Sequence, residues 1–275
     1  MKVLVVVLGI MIMVSRAGFA LTYQETVDSG LIQLHAEKYI EGEKTFKDAL
    51  ILAKTNSEKA SALSWIAQCL MAQYQVQGKL TEAINTLETM ITLPDGFENY
   101  KGVGYSHIGF AYNKIQDGVN TRVNMDKVLA LTTSVTAEDK AFAQTYRGHS
   151  YFKEKNYVSA RAEYAKVAAH GGPPNYEAES LYSTGESFKL EKNLASAFVN
   201  YKDAFKKGDN DLFWKKKAFN KLIELQLSQV TDWKAYCDWL TQIAVSIPAT
   251  TQEQADFAGI IISERDKLKK IYGIP

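Results

Sequence analysis

In proteins generally, histidine is the residue that most often binds metals or transfers protons, so the histidines of this chain are considered first. The four histidines are His35, His107, His149 and His170. No two of them are three or four residues apart, the spacing that places two ligands on one face of a helix. A metal shared by His107 and His149 is the one alternative, and it lacks a third ligand at matching spacing. We therefore expect no metal site and no cofactor.

Catalytic signatures are also missing from the sequence. It contains no glycine-rich phosphate loop, no Gly-x-Ser-x-Gly turn, no His-Glu-x-x-His and no Cys-x-x-Cys. The acidic pairs Glu138-Asp139 and Glu177/Glu179 stand where helices are predicted to begin, and carboxylates there complement the helix dipole. The sequence favours a protein that is not an enzyme.

The charge balance argues against nucleic acid as a partner. The chain has 32 basic and 31 acidic side chains, and phosphate binding depends on a strong basic excess. The densest basic cluster is interrupted by Asp209 and Asp211, which is typical of a solvated helix face. The members of this cluster are Lys206, Lys207, Lys215, Lys216, Lys217 and Lys221.

The first twenty residues have the pattern of a secretory signal peptide. Lys2 precedes an unbroken apolar run from Val3 to Val14, and small residues end the segment before a predicted cut after Ala20. The alternative is an uncleaved anchor, but the run is short of the roughly 20 residues that span a bilayer. We expect an exported protein, periplasmic or extracellular, that does not stay inserted in a membrane. No feature indicates its oligomeric state.

The rest of the chain predicts helices and no strands. Apolar residues recur at helical spacing, and short polar turns interrupt them at regular intervals. Candidate helix starts are Ser57, Thr136, Asn175 after two prolines, and Thr250 with Glu253 as a capping box. The fold class is all-α.

The predicted helices come in pairs that repeat along the chain. One residue near the middle of each first helix marks the repeat, and we call these six residues pivots. The pivots are Gly30, Met71, Gly109, Gly148, Gly185 and Glu224. They are 41, 38, 39, 37 and 39 residues apart, a period in the range of helical repeat proteins. Since Cys69 and Cys237 lie four repeats apart, we expect two buried thiols and no disulfide.

The pairs resemble the tetratricopeptide repeat family. Tyr105-Ser106-His107-Ile108-Gly109-Phe110-Ala111-Tyr112 matches the family's first-helix pattern, and Leu194, Ala197, Tyr201 and Ala204 match the second. The likeness covers about residues 24–245, with a period longer than the family's 34. Thr121, Glu224 and Tyr236 stand where small residues are usual. The resemblance implies a right-handed α-solenoid of about six helix pairs, over residues 21–249.

Residues 250–275 are predicted to form a helix that caps the array. Residues 252–272 carry a single apolar stripe, with charged residues on the remaining surface. The stripe consists of Phe257, Ile260, Ile261, Leu268, Ile271 and Tyr272. The alternative is a helix that binds a partner or a membrane surface.

The first helices are expected to form the inner, concave wall of the array. Residues one, four and five places after a pivot, and three before it, should face that wall. In the central repeats these candidate binding residues are Ser106, Phe110, Asn113, Lys114, Thr145, His149, Phe152, Lys153, Tyr182, Glu186 and Lys189. Such a mixture of aromatic, amide and amine groups suits an extended peptide.

The sequence therefore predicts a non-enzymatic scaffold or adaptor of the cell envelope, with a bacterial periplasm as the expected compartment. Its partner would be a protein or peptide on the concave face. The alternative is a small-ligand or glycan-binding protein that uses Tyr182, Phe110 and Phe152 for stacking. Some tetratricopeptide proteins grip C-terminal carboxylates with paired Lys and Asn. The spacing of Asn113, Lys114, Lys153 and Lys189 does not match that clamp.

Overall fold

The computed structural model describes residues 21–94, 98–133, 135–207, 212–227, 232–248 and 250–275. These residues form thirteen α-helices and one short 3₁₀ helix, and none of them lies in a strand. They fall into two compact units, one within Met1–Ser134 and one within Val135–Pro275. The predicted signal peptide, residues 1–20, lies outside the described residues.

The first unit contains six helices. They are α1 (Tyr23–His35), α2 (Tyr39–Leu52), α3 (Asn56–Ala72), α4 (Lys79–Ile91), α5 (Glu98–Lys114) and α6 (Gly118–Ala130). Helices α1 and α2, α3 and α4, and α5 and α6 pack as hairpins, and each second helix also packs against the next first helix within the unit.

The second unit contains seven helices and the 3₁₀ turn. They are α7 (Ala137–Lys153), α8 (Tyr157–Tyr164), the 3₁₀ turn Val167–His170, α9 (Pro174–Leu190), α10 (Leu194–Lys207), α11 (Leu212–Leu227), α12 (Trp233–Val245) and α13 (Gln252–Tyr272). Helices α7 and α8 and helices α9 and α10 pack as pairs. Helices α11 and α12 meet through the stacked rings of Phe219 and Trp239, 6.4 Å apart. Six pairs and one further helix confirm the predicted all-α class.

The helices of a pair approach closely where a small residue of the first faces a large one of the second. A Cβ built on Gly148 would lie 2.2 Å from a ring carbon of Tyr164, and one on Gly185 would lie 2.7 Å from Tyr201. Gly30 meets Phe46 and Gly109 meets Met125 in the same way. In each case the large residue is sixteen positions after the pivot. The contact therefore repeats in four of the pairs.

The other two pivots are larger residues, Met71 and Glu224. Sixteen positions after Met71 is Leu87, and sixteen after Glu224 is Leu240. Both leucines are fully buried. The close contact at the pivot is thus described in four of the six pairs. In the other two, Met71 is the second-last residue of α3, and Glu224 is exposed and accepts a hydrogen bond from Lys189.

The turns inside the pairs also repeat. Glu37, Gln116, Lys155 and Lys192 have positive φ between 59° and 66°, and Gly78 occupies the corresponding turn at 85°. A left-handed residue after a helix lets nearby backbone N–H groups bond its last carbonyls. The four connections that contain a non-glycine residue of positive φ are each three residues long, whereas the connection with Gly78 has six.

Two predicted helix starts differ in outcome because of side-chain capping. Thr136 caps α7 as predicted, and its hydroxyl and the Asp139 carboxylate each accept a bond from the other's backbone N–H. Helix α3 is capped by Thr55, two residues before the predicted Ser57. Thr55 is the N-cap because Glu58, three residues later, forms a reciprocal capping box with it.

The remaining two predicted starts are displaced by one residue. Thr251, not Thr250, caps α13, and its box partner is Gln254 rather than Glu253. Helix α9 begins at Pro174 instead of Asn175, since proline suits the first turn of a helix.

Helix α13 packs against α12 with half of its predicted stripe. Phe257, Ile261 and Leu268 are buried, whereas Ile260 and Ile271 are more than 60% exposed. The Tyr272 ring stacks on Trp233 at 3.9 Å between centroids. The predicted boundary at residue 250 stays a prediction. None of the described helices is long and apolar enough to span a bilayer.

Both cysteines are buried free thiols, as predicted. Burial first, and then the charge of Glu43, raise the pKa of the Cys69 thiol to about 11. A thiol with a pKa this high is almost entirely protonated near pH 7 and therefore chemically inert.

A buried carboxylate joins three helices of the first unit. Glu43 of α2 accepts hydrogen bonds from Lys47 at 2.7 Å, Lys79 at 3.0 Å and Gln73 at 2.9 Å. Burial alone would raise the pKa of Glu43, but these hydrogen bonds outweigh it and hold the pKa below its ordinary value. The ionised form therefore stabilises the folded state.

We predict that Gly148→Ala lowers the free energy of unfolding by about 2–3 kcal/mol, because the new methyl overlaps the buried Tyr164 ring. Gly259→Ala is the control, since its Cβ meets nothing within 4 Å and alanine favours a helix by about 0.5–1 kcal/mol. Urea unfolding of both variants measures the difference. Equal stability of the two would contradict the close contact.

We further predict that Glu43→Gln destabilises the protein by about 1–3 kcal/mol at pH 7, because Lys47 and Lys79 lose the buried carboxylate that they share and keep only the more exposed Glu82. A carboxyl with a lowered folded-state pKa stabilises above its unfolded value, and this contribution disappears as pH falls through the folded-state pKa. The gap between wild type and variant should therefore shrink from pH 5 downward. Glu41→Gln, exposed on the same helix, is the control in pH-dependent thermal melts. A gap that stays constant with pH argues against the network.

Candidate functional site

The eleven candidate binding residues are divided between the two units. Four lie on α5 of the first unit, and seven lie on α7 and α9 of the second. Each unit is therefore treated as a separate surface. A binding role for these residues stays a prediction, whereas their placement is now defined.

On α5 only part of the predicted set reaches the surface. Ser106 and Asn113 are buried, Phe110 is half-buried and Lys114 is exposed. The Lys114 ammonium lies 5.0 Å from the Phe110 ring centroid and 5.4 Å from that of Tyr74. An ammonium over a ring face is attracted by its quadrupole. Lys114 therefore covers the ring that was predicted to be available for stacking.

On α7 the predicted Thr145 is 0% exposed and serves packing. Its hydroxyl donates to the Ala141 carbonyl at 2.8 Å and lies 3.2 Å from Ser180 Oγ on α9. The expectation that Thr145 faces solvent is wrong, because α9 of the next pair covers this position.

His149 links three helices of the second unit. Its Nδ1 lies 2.7 Å from the Tyr164 hydroxyl on α8, and its Nε2 lies 3.0 Å from Glu179 Oε1 on α9. The Tyr146 ring meets the imidazole edge-on at 5.1 Å. One turn further on, Phe152 contacts the Tyr157 ring at 5.4 Å. These side chains hold neighbouring helices together.

Burial governs the ionisation of the tyrosines around this histidine. Burial first, and then Glu179, raise the pKa of Tyr146 and hold Tyr146 neutral. The pKa of Tyr176 rises to about 12 through burial, then Glu138 and Glu179. Near pH 7 the hydroxyls are neutral hydrogen-bonding groups and do not supply a nucleophilic phenolate.

Ion pairs join α9 to α11. Lys189 donates to Glu224 Oε1 at 2.6 Å, and Lys221 lies 3.3 Å from Glu186 Oε1. The hydrogen bond from Lys189 is the main cause that lowers the pKa of Glu224. Glu186 also accepts a 2.5 Å hydrogen bond from the buried Tyr201 hydroxyl. The predicted residues Glu186 and Lys189 are therefore engaged within the protein.

Helix α11 carries a cluster of aromatic side chains that was not among the predicted positions one, four and five after a pivot and three before it. We call this set of predicted positions the pivot rule. Trp214 packs 5.4 Å from Tyr182, and Phe213 contacts Trp214 edge-on while remaining 55% exposed. The Lys217 ammonium lies 4.2 Å from the Phe213 centroid and 4.6 Å from that of Trp214. We call Tyr182, Phe213, Trp214 and Lys217 the aromatic–lysine patch.

Lys217 differs from the other lysines of α11. Lys216 pairs with Glu253 and Lys221 with Glu186, whereas no carboxylate of the described residues pairs with Lys217. Lys215 is buried against the Phe205 ring. The basic cluster is therefore not a uniform solvated face. The signal that the sequence offered was Phe213-Trp214 four and three residues before Lys217, one turn of helix.

Metal binding gains no support from this arrangement. Among the parts of the chain that the structure describes, no three His, Cys, Asp or Glu side chains form a group able to hold an ion.

The paired helices and their repeated close contact define an all-α helical-repeat fold, the fold that the resemblance to tetratricopeptide repeats implied. No protein-family model and no curated protein matches the sequence. Nineteen chains of solved structures do match. One is "TPR2AB-domain:pHSP90-complex of yeast Sti1", with 16% identity, 89% of this chain and 98% of that chain covered, and a TM-score of 0.34. At this TM-score the fold assignment depends on the helix pairs themselves.

We predict that Tyr201→Phe lowers the free energy of unfolding by about 1.5–3 kcal/mol, since it removes a buried hydrogen bond to the Glu186 carboxylate. Tyr157→Phe is the control, because its half-buried ring packs on Phe152 without a described hydroxyl bond, and it should change stability by less than about 0.5 kcal/mol. Urea unfolding distinguishes them. A neutral Tyr201→Phe would mean that Glu186 is not held by Tyr201.

Proposed function

We propose that this protein is a non-enzymatic scaffold of the cell envelope that binds a protein or peptide partner. The partner contacts the first-helix face of the second unit, which the repeat architecture predicts to be the inner wall. The observation that carries the proposal is the aromatic–lysine patch, where the half-exposed Phe213 ring adjoins Trp214 and Lys217. Exposed aromatic residues are typical anchors of protein interfaces.

The surroundings of the patch favour binding because they are already ordered. Trp214 and Tyr182 pack on each other, and the neighbouring Lys189–Glu224 and Lys221–Glu186 pairs fix both helices. A preformed surface loses little conformational entropy when a partner docks. Lys217 supplies a positive charge that is not neutralised by a described carboxylate, so an acidic group of the partner would complement it.

The cell-envelope location is part of the same proposal. It is supported by the signal-peptide pattern of residues 1–20, with its short positive start, apolar run and small residues before Leu21. Export after cleavage would leave the helical pairs facing an aqueous compartment.

The alternative of glycan stacking receives less support. Lys114 lies over the Phe110 ring, Phe152 packs edge-on against Tyr157, and Tyr182 lies between Tyr201 and Trp214. Each of the three rings therefore already has a partner within its own unit.

The test is a pull-down from envelope extract with residues 21–275 as bait. Phe213→Ala combined with Lys217→Ala should lose at least tenfold in recovered partner, because the anchor and the charge are both removed. Val199→Ala with Lys202→Ala is the matched control, since Val199 is also 55% exposed but lies on a second helix. The control should bind like wild type.

If the patch variant recovers as much partner as the wild type, with unchanged helicity and melting temperature, the proposed binding face is wrong. A glycan array that finds a sugar ligand for the wild type, lost with Tyr182→Ala, would favour the alternative.

A further inference from the structure

A groove of about 440 Å³ lies in the second unit between α8, with its 3₁₀ turn, and α9. Ala165 and Ala168 line one wall, and Leu181 and Phe188 line the other, with the buried Ser180 at the base. Its volume is in the range of sites that hold small ligands or side chains. None of its lining residues belongs to the aromatic–lysine patch.

The repeat itself explains why a groove occurs here. At two of the junctions between pairs, the residue twenty positions after a pivot packs against the residue five positions before the next pivot. Between the second and third pairs, Ile91 fills the space beside Gly104, where a Cβ would lie 2.3 Å from Ile91. Between the fifth and sixth pairs, Phe205 meets Phe219 at 6.4 Å between ring centroids.

The same two positions are both small between the fourth and fifth pairs. They are Ala168 and Ser180, and both line the groove. In four other pairs the position of Ala168 carries a large apolar residue: Leu50, Ile91, Leu129 and Phe205. The sixth pair has Ala244, which is buried in the core shared with α13. The groove is thus the place of one missing large apolar side chain.

The charges at the ends of the groove are already neutralised. Arg161 bonds to Glu191 at 2.7 Å and to Ser187 at 3.0 Å, and its guanidinium lies 4.2 Å from the Phe188 ring centroid. At the opposite end Glu177 pairs with Lys207 at 2.8 Å. A charged occupant would therefore find no partner inside, whereas an apolar one would bury its surface favourably.

We propose that this groove is a second docking site, which receives a large apolar side chain, of the leucine or phenylalanine class, from a partner segment. The identity of that side chain follows from the chain's own repeats, where Ile91 and Phe205 occupy the corresponding space. The site is independent of the first-helix face proposed above.

The probe for the test is N-acetyl-L-leucinamide, which presents the side chain with two peptide groups. Titration into the mature protein with ¹³C-methyl-labelled alanine should give saturable shifts of the Ala165 and Ala168 methyls at concentrations on the order of 10 mM. N-acetylglycinamide, which lacks the side chain, should give none. Absence of saturable shifts with the leucine probe overturns the proposal.

Ala168→Leu introduces at position 168 the leucine that the first pair carries at the corresponding position, Leu50. It should abolish the probe-induced shifts and raise Tm by about 2–4 °C, because the leucine fills the space. Ala195→Leu, exposed on α10 away from the groove, should do neither. A lower Tm for folded Ala168→Leu would show that the groove does not accept this side chain. A dimer that Ala168→Leu dissociates would assign the groove to a second copy and overturn the proposal of a separate partner.

Discussion

Four of the six helix pairs depend on one packing contact, between the glycine pivot of the first helix and the residue sixteen positions later on the second. Where the pivot is glycine, the facing side chain occupies the space that a Cβ would need, as Tyr164 does over Gly148. Since protein interiors are close-packed, the size of one residue sets the size allowed for the other. Phe46, Met125, Tyr164 and Tyr201 all lie against glycine, so the separation of the two helices is conserved while the side chains vary. The hydrogen-bonded partners of these residues depend on that separation: the Tyr164 hydroxyl reaches His149, and the Tyr201 hydroxyl reaches Glu186.

Much of this contact pattern was predictable from the sequence, because it is local. Helical spacing and the recurrence of a small residue identify the pairs, and the buried set on the second helices, such as Ala160, Tyr164 and Val167, follows from the same periodicity. Helix ends were less predictable, since capping depends on which of two adjacent hydroxyls finds a reciprocal partner. Thr55 rather than Ser57 is the cap because Glu58 bonds to it reciprocally, and Thr251 rather than Thr250 is the cap because Gln254 does the same. These choices differ by small free energies, on the order of 1 kcal/mol.

The candidate binding residues were harder to predict because they depend on contacts between pairs. The pivot rule places Thr145 and His149 on one face of a helix. It does not predict which residues of the next first helix will contact them. In the second unit α9 supplies Ser180 and Glu179 to these two residues, and α11 supplies Glu224 to Lys189. Polar residues on first helices therefore join successive pairs. The side chains proposed to contact a partner, Phe213 and Lys217, lie on a helix where the repeat is degenerate, so the repeat pattern could not predict them.

The repeats of one chain can be compared with one another position by position. A residue that departs from the pattern shared by the other repeats is therefore informative. Residues that obey the register, such as Gly148 or Leu87, are explained by packing and need no functional role. Two departures remain in the second unit: the aromatic–lysine patch at the start of α11, and the alanine at position 168, where other pairs carry Leu50, Ile91 or Phe205. The first adds apolar surface that the pair does not bury, and the second removes apolar volume that the other pairs need. Both leave an interaction incomplete within the chain. An incomplete apolar contact costs free energy unless another molecule supplies the missing surface, so these two places have the strongest physical reason to bind a partner.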